Sequence, residues 1–184
     1  MKMQKPVLVF VSHPGGGGDG FEKLQTVTFA NEKLGLACKA FRTVRITPEN
    51  ADKDAVLGGK GKAVPRLLVV DPINEKVKVL EKGKLKASTI YSTMKSVSGK
   101  FWKEGLEKKV KSCLKLLTEQ DQIVNEMKLL RDKESLLAQE DGDKAERELK
   151  KLTKEIEEVQ AELERIRKEQ DELWKMTPKR AAAA

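Results

Sequence analysis

The stretch Pro6–Gly20, PVLVFVSHPGGGGDG, decides the fold prediction. Its apolar run Val7–Val11 predicts a buried strand that ends in Ser-His-Pro and four glycines, and a helix pattern follows from Asp19. In an α/β domain, ligands and chemistry are usually found in the loop that leaves the carboxyl end of such a strand. This loop contains no thiol, no pair of carboxylates and no basic residue. The sequence therefore predicts an α/β domain whose usual functional loop has lost its catalytic side chains.

The residues after this loop predict a β-α-β-α-β-β-α order over residues 5–98. Helices are predicted at 19–35, at 51–57 and from Ser88 onward, the last with Ile90, Met94 and Val97 on its apolar side. Further strands are predicted at 40–46, 66–70 and 76–80. The first strands are joined by helices and are predicted to lie parallel, whereas the last two form a hairpin. The expected architecture is a small mixed sheet with helices on both faces.

Two segments of this chain resemble the thioredoxin-like superfamily over residues 5–98, about half of the sequence. Lys5–Val11, KPVLVFV, looks like the opening strand of bacterial thioredoxin-like domains. Val64–Val69, VPRLLV, looks like the family segment in which a cis-proline precedes a central strand. The resemblance implies a thioredoxin-like α/β domain in which the proline faces the active-site loop.

The resemblance also locates a degenerate active site. Alignment of the first strand without gaps places the family's CxxC motif at Gly16–Asp19, where this chain has no cysteine. Thiol–disulfide exchange needs an attacking thiolate and a resolving thiol at one site, so the family's activity is not expected here. The implied degenerate active-site residues are Ser12, His13, Gly16, Asp19, Val64 and Pro65. No catalytic residue, metal site or cofactor is predicted.

The charge and the cysteine content limit which kinds of function are expected. Residues 1–116 contain 23 Lys and Arg and 11 Asp and Glu, which is a net charge of +12. Residues 117–184 contain 14 Lys and Arg and 18 Asp and Glu, which is a net charge of −4, so the whole chain carries +8. The basic part could bind nucleic acid or an acidic protein, or could simply be a solvated lysine-rich surface. Cys38 and Cys113 form no CxxC and no zinc-type spacing, which favours a reducing compartment. No apolar run is long enough for a signal peptide or a membrane span, so a cytoplasmic protein is expected.

The last third of the chain has the strongest periodic pattern and predicts a coiled coil. Apolar residues recur there at heptad spacing, with charged residues on the flanks, and Gln170 interrupts the seam. The predicted interface residues are Leu116, Ile123, Leu130, Leu137, Leu149, Leu152, Ile156, Val159, Leu163, Ile166 and Leu173. A turn at residues 139–143 favours an antiparallel helical hairpin, and the alternative is one continuous helix in a parallel dimer. Because the apolar stripe of the first arm, which includes Val110, Leu117 and Val124, is broader than one helix covers, two hairpins are expected to pair into a four-helix homodimer.

Four regions follow from these patterns. They are a thioredoxin-like domain at 1–98, a connecting helix at 99–116, the antiparallel coiled-coil hairpin at 117–176, and a disordered tail at 177–184. The leading functional hypothesis is a non-catalytic module that binds protein partners and oligomerises through its coiled coil. The alternatives are a thiol-redox enzyme that uses Cys38, and a basic protein that binds nucleic acid or the ribosome.

Overall fold

The computed structural model describes residues 5–15, 21–22, 24–71, 73–140 and 142–179. Within these residues, four strands form one sheet: β1 (Val7–Val11), β2 (Arg42–Ile46), β3 (Arg66–Asp71) and β4 (Lys76–Glu81). The α-helices, in chain order, are α1 (Glu32–Cys38), α2 (Pro48–Lys53), α3 (Ala87–Phe101), α4 (Leu106–Leu137) and α5 (Asp143–Leu173). A π-helical turn at Leu24–Thr28 and a 3-10 turn at Lys82–Lys84 lie between them. The chain is therefore a small mixed sheet with helices, followed by a long helical region.

The sheet has the strand order β2-β1-β3-β4. β1 and β2 are parallel and β3 and β4 form an antiparallel hairpin, as predicted. The expectation that helical connections make the first strands parallel is wrong for β3, which is antiparallel to β1. The helix α2 is only six residues long, and residues 54–65 follow it. This length of chain is enough to reach the other side of β1 and to enter the sheet in the reverse direction.

The first predicted helix is broken in the structure, so the prediction of one helix ending near Gly35 is wrong. The π-helical turn ends at Thr28, and α1 begins anew at Glu32 and runs past Gly35 to Cys38. The side chain of Asn31 accepts a hydrogen bond from the Leu34 N–H at 3.2 Å and caps this second helix. An asparagine cap inside an apolar stripe therefore divides one predicted helix into two pieces.

Of the other two helices of the sheet domain, α3 begins within one residue of the predicted Ser88, whereas α2 begins at Pro48, before the predicted range of 51–57. Thr47 caps α2, but α2 ends at Lys53 instead of Leu57, because the carboxylate of Asp54 accepts the N–H groups of Val56 and Leu57 and holds them in a turn. In α3, the predicted apolar side is buried, and this helix contacts β3 and α1. The alternating residues of β1 pack with β3 and α2 in a core cluster of Val7, Val9, Val11, Ala51, Leu57, Leu68 and Val70.

The chain divides into two compact units. Unit 1 comprises residues 1–110 and 176–184, and unit 2 comprises residues 111–175, so the boundary lies within α4. In unit 1, Trp102 is 3% exposed and its indole N–H donates to the Ala40 carbonyl oxygen at 3.1 Å. Residues 177–179, which the sequence assigned to a disordered tail, run antiparallel beside Trp102 in a bridge between Trp102 and Pro178. Hydrogen bonds from Lys103 N–H to the Thr177 carbonyl, and from Lys179 N–H to the Phe101 carbonyl, hold this segment.

Unit 2 is a pair of antiparallel helices formed by α4 and α5. Leu137 at the end of α4 packs with Leu152 and Ile156 near the start of α5, while Gln170 near the end of α5 bonds to Gln120. Between the helices, Gly142 has φ +122°, a conformation that favours glycine. The glycine in the predicted turn therefore separates two helices. No helix within the described residues is long and apolar enough to cross a membrane.

Candidate functional site

A groove of about 430 Å³ lies in unit 1 beside the Val64–Pro65 segment, and we call it the Val64 groove. Three chain segments line it: the π-helical turn, the loop before β3, and the turn between β4 and α3. Its lining residues are Leu24, Val27, Thr28, Ala63, Val64, Pro65, Lys82, Gly83, Leu85, Lys86 and Ala87. Most of these side chains are apolar, and Val27 is 63% exposed. The groove is therefore an open apolar surface of the size of a small ligand or a short peptide segment.

Hydrogen bonds from several elements hold the loop before β3. The peptide bond between Val64 and Pro65 is cis. One carboxylate oxygen of Glu81, at the end of β4, accepts the N–H groups of Lys62 and Ala63 at 3.3 and 3.2 Å. The hydroxyl of Thr28 donates to the Leu85 carbonyl oxygen at 3.2 Å and so ties two walls of the groove together. These contacts make the groove a preformed feature of the fold.

Arg66 anchors the same loop from inside the domain. Its side chain is 2% exposed, and its guanidinium donates to the Ala63 carbonyl oxygen at 3.2 Å and to an Asp52 carboxylate oxygen at 3.3 Å. The Nε atom of Arg66 is buried without a partner among the described residues. A buried guanidinium is stable only with such partners, so Asp52 and the Ala63 carbonyl are needed to keep Arg66, and with it the loop, in place.

The main chain of Val64 makes no hydrogen bond, by its N–H or its carbonyl, within the part of the chain that the structure describes. Val64 is only half-buried, so an extended peptide could reach this N–H and carbonyl and pair with them as a strand does. The apolar lining of the groove would then contact side chains of that peptide.

The charge of the groove is positive. Lys82 and Lys86 lie at it, and none of the described residues that line it is acidic. Two ammonium groups at an apolar surface favour a ligand that carries a carboxylate or another anion beside its apolar part.

Two of the predicted degenerate loop residues, Ser12 and His13, follow the end of β1 at the edge of the sheet where Pro65 precedes β3. The β1–β3 register pairs Val11 with Arg66, so Ser12 and Pro65 are the next residues outward on adjacent strands. Ser12 is buried, and its hydroxyl accepts a hydrogen bond from Arg45 Nε at 2.8 Å. A second N–H of Arg45 donates to the His13 carbonyl oxygen at 3.1 Å. Two other predicted residues of this loop, Gly16 and Asp19, lie outside the described residues.

Arg45 is a second feature of this loop that sequence reasoning did not single out. Its guanidinium carbon lies 5.0 Å from the ring centroid of Phe21 and 6.0 Å from that of Phe10, within the range of cation–π attraction. The two rings are themselves stacked at 5.7 Å. Arg45 therefore links β2 to the beginning of the loop and to both aromatic rings.

The two cysteines are both free thiols and lie apart from the groove lining. Cys38 is half-buried at the end of α1, and burial raises the pKa of its thiol above the ordinary value. A raised pKa lowers the thiolate fraction, which is the form that attacks disulfides. Cys113 is buried in unit 2. Among the described residues, no group of three or more His, Cys, Asp or Glu side chains is placed to hold a metal ion.

All eleven predicted interface residues of the helical region are at least half-buried. Leu137, Leu152, Ile156 and Ile166 are buried, and the half-buried ones are Leu116, Ile123, Leu130, Leu149, Val159, Leu163 and Leu173. At the one polar seam position, the Gln170 amide donates to the Gln120 amide oxygen at 2.8 Å. A paired amide in an apolar seam fixes the register of two helices at some cost in stability.

The groove residues outside the Val64–Pro65 segment were missed by sequence reasoning. Val27 lies within the helix predicted at 19–35, and the Lys82–Lys84 segment lies between the predicted strand at 76–80 and the helix from Ser88. No local signal marks these residues, because the groove exists only where three distant segments meet. Comparisons with known proteins found no match to a protein-family model, to a curated protein or to a solved structure.

Proposed function

We propose that this protein is a non-catalytic, thioredoxin-like interaction module that binds an extended peptide segment of a protein partner in the Val64 groove and oligomerises through a coiled coil formed by α4 and α5. The observation that carries the proposal is the Val64 main chain, which forms no hydrogen bond among the described residues, at an apolar, lysine-flanked groove. Strand-like pairing with a peptide supplies affinity through main-chain hydrogen bonds, and the groove side chains select the sequence.

The thioredoxin-like part of the proposal is supported by the arrangement of unit 1. Its element order is the β-α-β-α-β-β-α order of the resemblance, apart from the break in the first helix. A cis-proline precedes β3, which has β1 and β4 as neighbours and is therefore a central strand. The proline and the end of β1 lie at one end of the sheet, as expected for an active-site loop beside the proline.

The non-catalytic part is supported by the position and chemistry of the thiols. The sequence has two cysteines, and neither lies in the glycine loop or in the lining of the groove. Cys38 has a raised pKa because it is buried, which disfavours a nucleophilic thiolate. Both thiols are free, which fits a reducing compartment such as the cytoplasm.

A peptide selection on the full chain tests the groove. A library of random displayed peptides is the probe, and we expect enrichment of sequences that combine apolar residues with Asp or Glu. Val27→Asp and Lys86→Glu alter the groove at an exposed apolar and an exposed basic position. Each should weaken the binding of an enriched peptide by about tenfold, measured by fluorescence polarisation. Ile73→Asp, at an exposed position in the turn between β3 and β4, is the matched control and should leave the affinity unchanged.

Two outcomes would contradict the proposal. One is a selection that enriches no peptide, and the other is an enriched peptide whose affinity is insensitive to both groove variants. An insulin-reduction assay tests the redox alternative directly. Turnover that disappears in Cys38→Ser would replace the interaction module with a thiol enzyme.

A further inference from the structure

The helix α4 exposes apolar side chains that its contact with α5 does not use. Leu129 and Leu136 are 69% and 66% exposed, the highest values for large apolar side chains among the described residues. The α4 residues that pack with α5 are Met127, Leu130 and Leu137. Leu129 and Leu136 are seven residues apart and so lie on one line of the helix, which we call the Leu129 face.

A groove lies on the same side of the helix pair, further along unit 2. It measures about 740 Å³, and α4 contributes Lys115 and Leu116 to it while α5 contributes Lys168 and Leu173. Lys115 is two heptads before Leu129 and therefore lies on the same helix line. The Leu129 face and this groove therefore lie on one surface of unit 2, separated along α4 by the exposed polar residue Gln122. Its apolar part consists of the exposed leucines at one end and the groove floor at the other.

The charges of the groove are balanced. It is lined by three basic residues, Lys115, Arg165 and Lys168, and by three acidic residues, Glu119, Glu169 and Glu172. A surface of this kind offers no net field to a polyanion or to a strongly basic partner. Arg165 is ion-paired with Glu162 and Glu169, and Glu172 with Lys175, all in or next to α5. A second copy of this neutral, internally paired surface therefore meets no net like-charge repulsion across a symmetric interface.

The length of the surface is also sufficient for a stable dimer. At 1.5 Å per residue, the 31-residue helix α5 is about 45 Å long. Two helices side by side give a width of about 20 Å and hence a face of about 900 Å². A stable protein–protein interface needs about 800 Å² from each partner.

We propose that the occupant of this surface is a second copy of the same chain, which docks its own Leu129 face and groove in an isologous, four-helix dimer. The inference rests on the oligomerising part of the proposed function and specifies which side of the helix pair forms the contact. This assignment differs from the sequence-based expectation, in which the stripe of Val110, Leu117 and Val124 pairs the hairpins. Val110 is buried and Leu117 half-buried within the chain, and Val124 is five residues from Leu129 and so about 140° away around the helix, outside the contact.

Sedimentation equilibrium of the full chain tests this assignment. We expect a dimer at tens of micromolar, and the double variant Leu129→Lys with Leu136→Lys should raise its dissociation constant by about 100-fold, since each central apolar side chain contributes roughly tenfold. Val124→Lys is the matched control, because it places the same charge at a 47% exposed apolar position on the other side of α4. It should leave the dissociation constant within about twofold of the wild-type value.

Circular dichroism confirms that each variant is folded. If the lysine pair loses helix signal, Leu129→Gln with Leu136→Gln, which adds no charge, takes its place with the same expected direction. A monomeric wild-type chain at tens of micromolar would overturn the dimer itself. A wild-type dimer that both double variants leave intact, or that Val124→Lys weakens equally, would overturn the assignment of the face. Peptide binding in the Val64 groove is measured on the same variants and should be unchanged, so a failure of one proposal is distinguishable from a failure of the other.

Discussion

Replacing Trp102 with Phe removes one buried hydrogen bond from unit 1 and leaves most of the apolar ring in place. The indole N–H of Trp102 donates to the Ala40 carbonyl oxygen at 3.1 Å, and both residues are buried, at 3% and 1% exposure. In Trp102→Phe this carbonyl has no partner and no access to water. An unsatisfied buried acceptor costs about 1–3 kcal/mol.

The missing ring atoms add a second contribution. The Trp102 ring packs edge-to-face against Phe101, with centroids 4.6 Å apart, and the smaller phenyl ring leaves a void at this contact. Loss of a few buried carbon atoms costs about 1 kcal/mol, so the total for Trp102→Phe is about 2–4 kcal/mol. Because a domain of this size is stable by about 5–15 kcal/mol, the change is a large fraction of the total.

The second tryptophan of the chain provides a matched control. The Trp174 Nε1 atom is buried but has no hydrogen-bond partner among the described residues. Trp174→Phe therefore removes an unsatisfied donor and breaks no hydrogen bond. We expect it to lower the stability of unit 2 by less than about 1 kcal/mol, or to raise it.

Hydrogen exchange followed by mass spectrometry measures both effects in the intact protein. The amides of the central strand β3 report the global unfolding of unit 1, and those of α5 report unit 2. Trp102→Phe should speed exchange in β3 by about 30-fold or more, the equivalent of 2 kcal/mol. Two results would refute the role assigned to the Ala40 hydrogen bond. One is an increase of less than about fivefold in the exchange rate of β3 in Trp102→Phe. The other is a loss of protection of α5 in Trp174→Phe as large as the loss in β3 of Trp102→Phe.

The remaining predictions concern the C-terminal segment and the helix pair. Partial burial raises the pKa of the Glu104 carboxyl, but hydrogen bonds from the main chain and side chain of Thr177 outweigh this and lower it. A pKa lowered by folding adds stability above the unfolded-state pKa, and this stability is lost as the pH falls through the folded-state pKa. Glu104→Gln should therefore lower the melting temperature at neutral pH but not at acid pH. An equal decrease at the two pH values would contradict a stabilising hydrogen bond from Thr177 to the ionised Glu104 carboxylate. In unit 2, Gln170→Leu leaves the Gln120 amide unpaired and should lower the free energy of unfolding by about 1 kcal/mol. The double variant Gln170→Leu with Gln120→Leu removes both amides and should be at least as stable as the wild-type protein. Urea unfolding measures both variants. A double variant less stable than Gln170→Leu alone would show that the amide pair is not the cause.

Several elements of the fold could be predicted because their determinants are local. The buried strand β1, the hairpin of β3 and β4, and the apolar side of α3 all follow from periodic patterns within a few residues. The separation of the helical region at Gly142 likewise follows from a turn composition. In each of these segments, the local backbone preference and the need to bury one apolar face favour the same structure.

The errors occurred where local and tertiary preferences compete. The predicted helix at 19–35 has apolar residues at helical spacing from Phe21 to Leu34, yet the Asn31 side chain caps a new helix within it. The alternating or apolar pattern of a strand does not specify its direction, and residues 54–65 after α2 are long enough for β3 to enter the sheet antiparallel to β1. Arg66 stands in an otherwise apolar strand pattern and is nevertheless buried, because Asp52 and the Ala63 carbonyl satisfy its guanidinium.

By itself, the sequence determined the order of the strands and of all helices but the first, the absence of cysteine from the glycine loop, and the heptad pattern of the helical region, because periodicity and composition act over short distances. Only the tertiary structure decided the sheet order, the cis bond at Val64–Pro65 and the existence of the Val64 groove. The groove is formed by segments around residues 24–28, 63–65 and 82–87, which no sequence pattern connects. It arises because burial of the strands brings these segments to one place, and burial is a property of the whole domain.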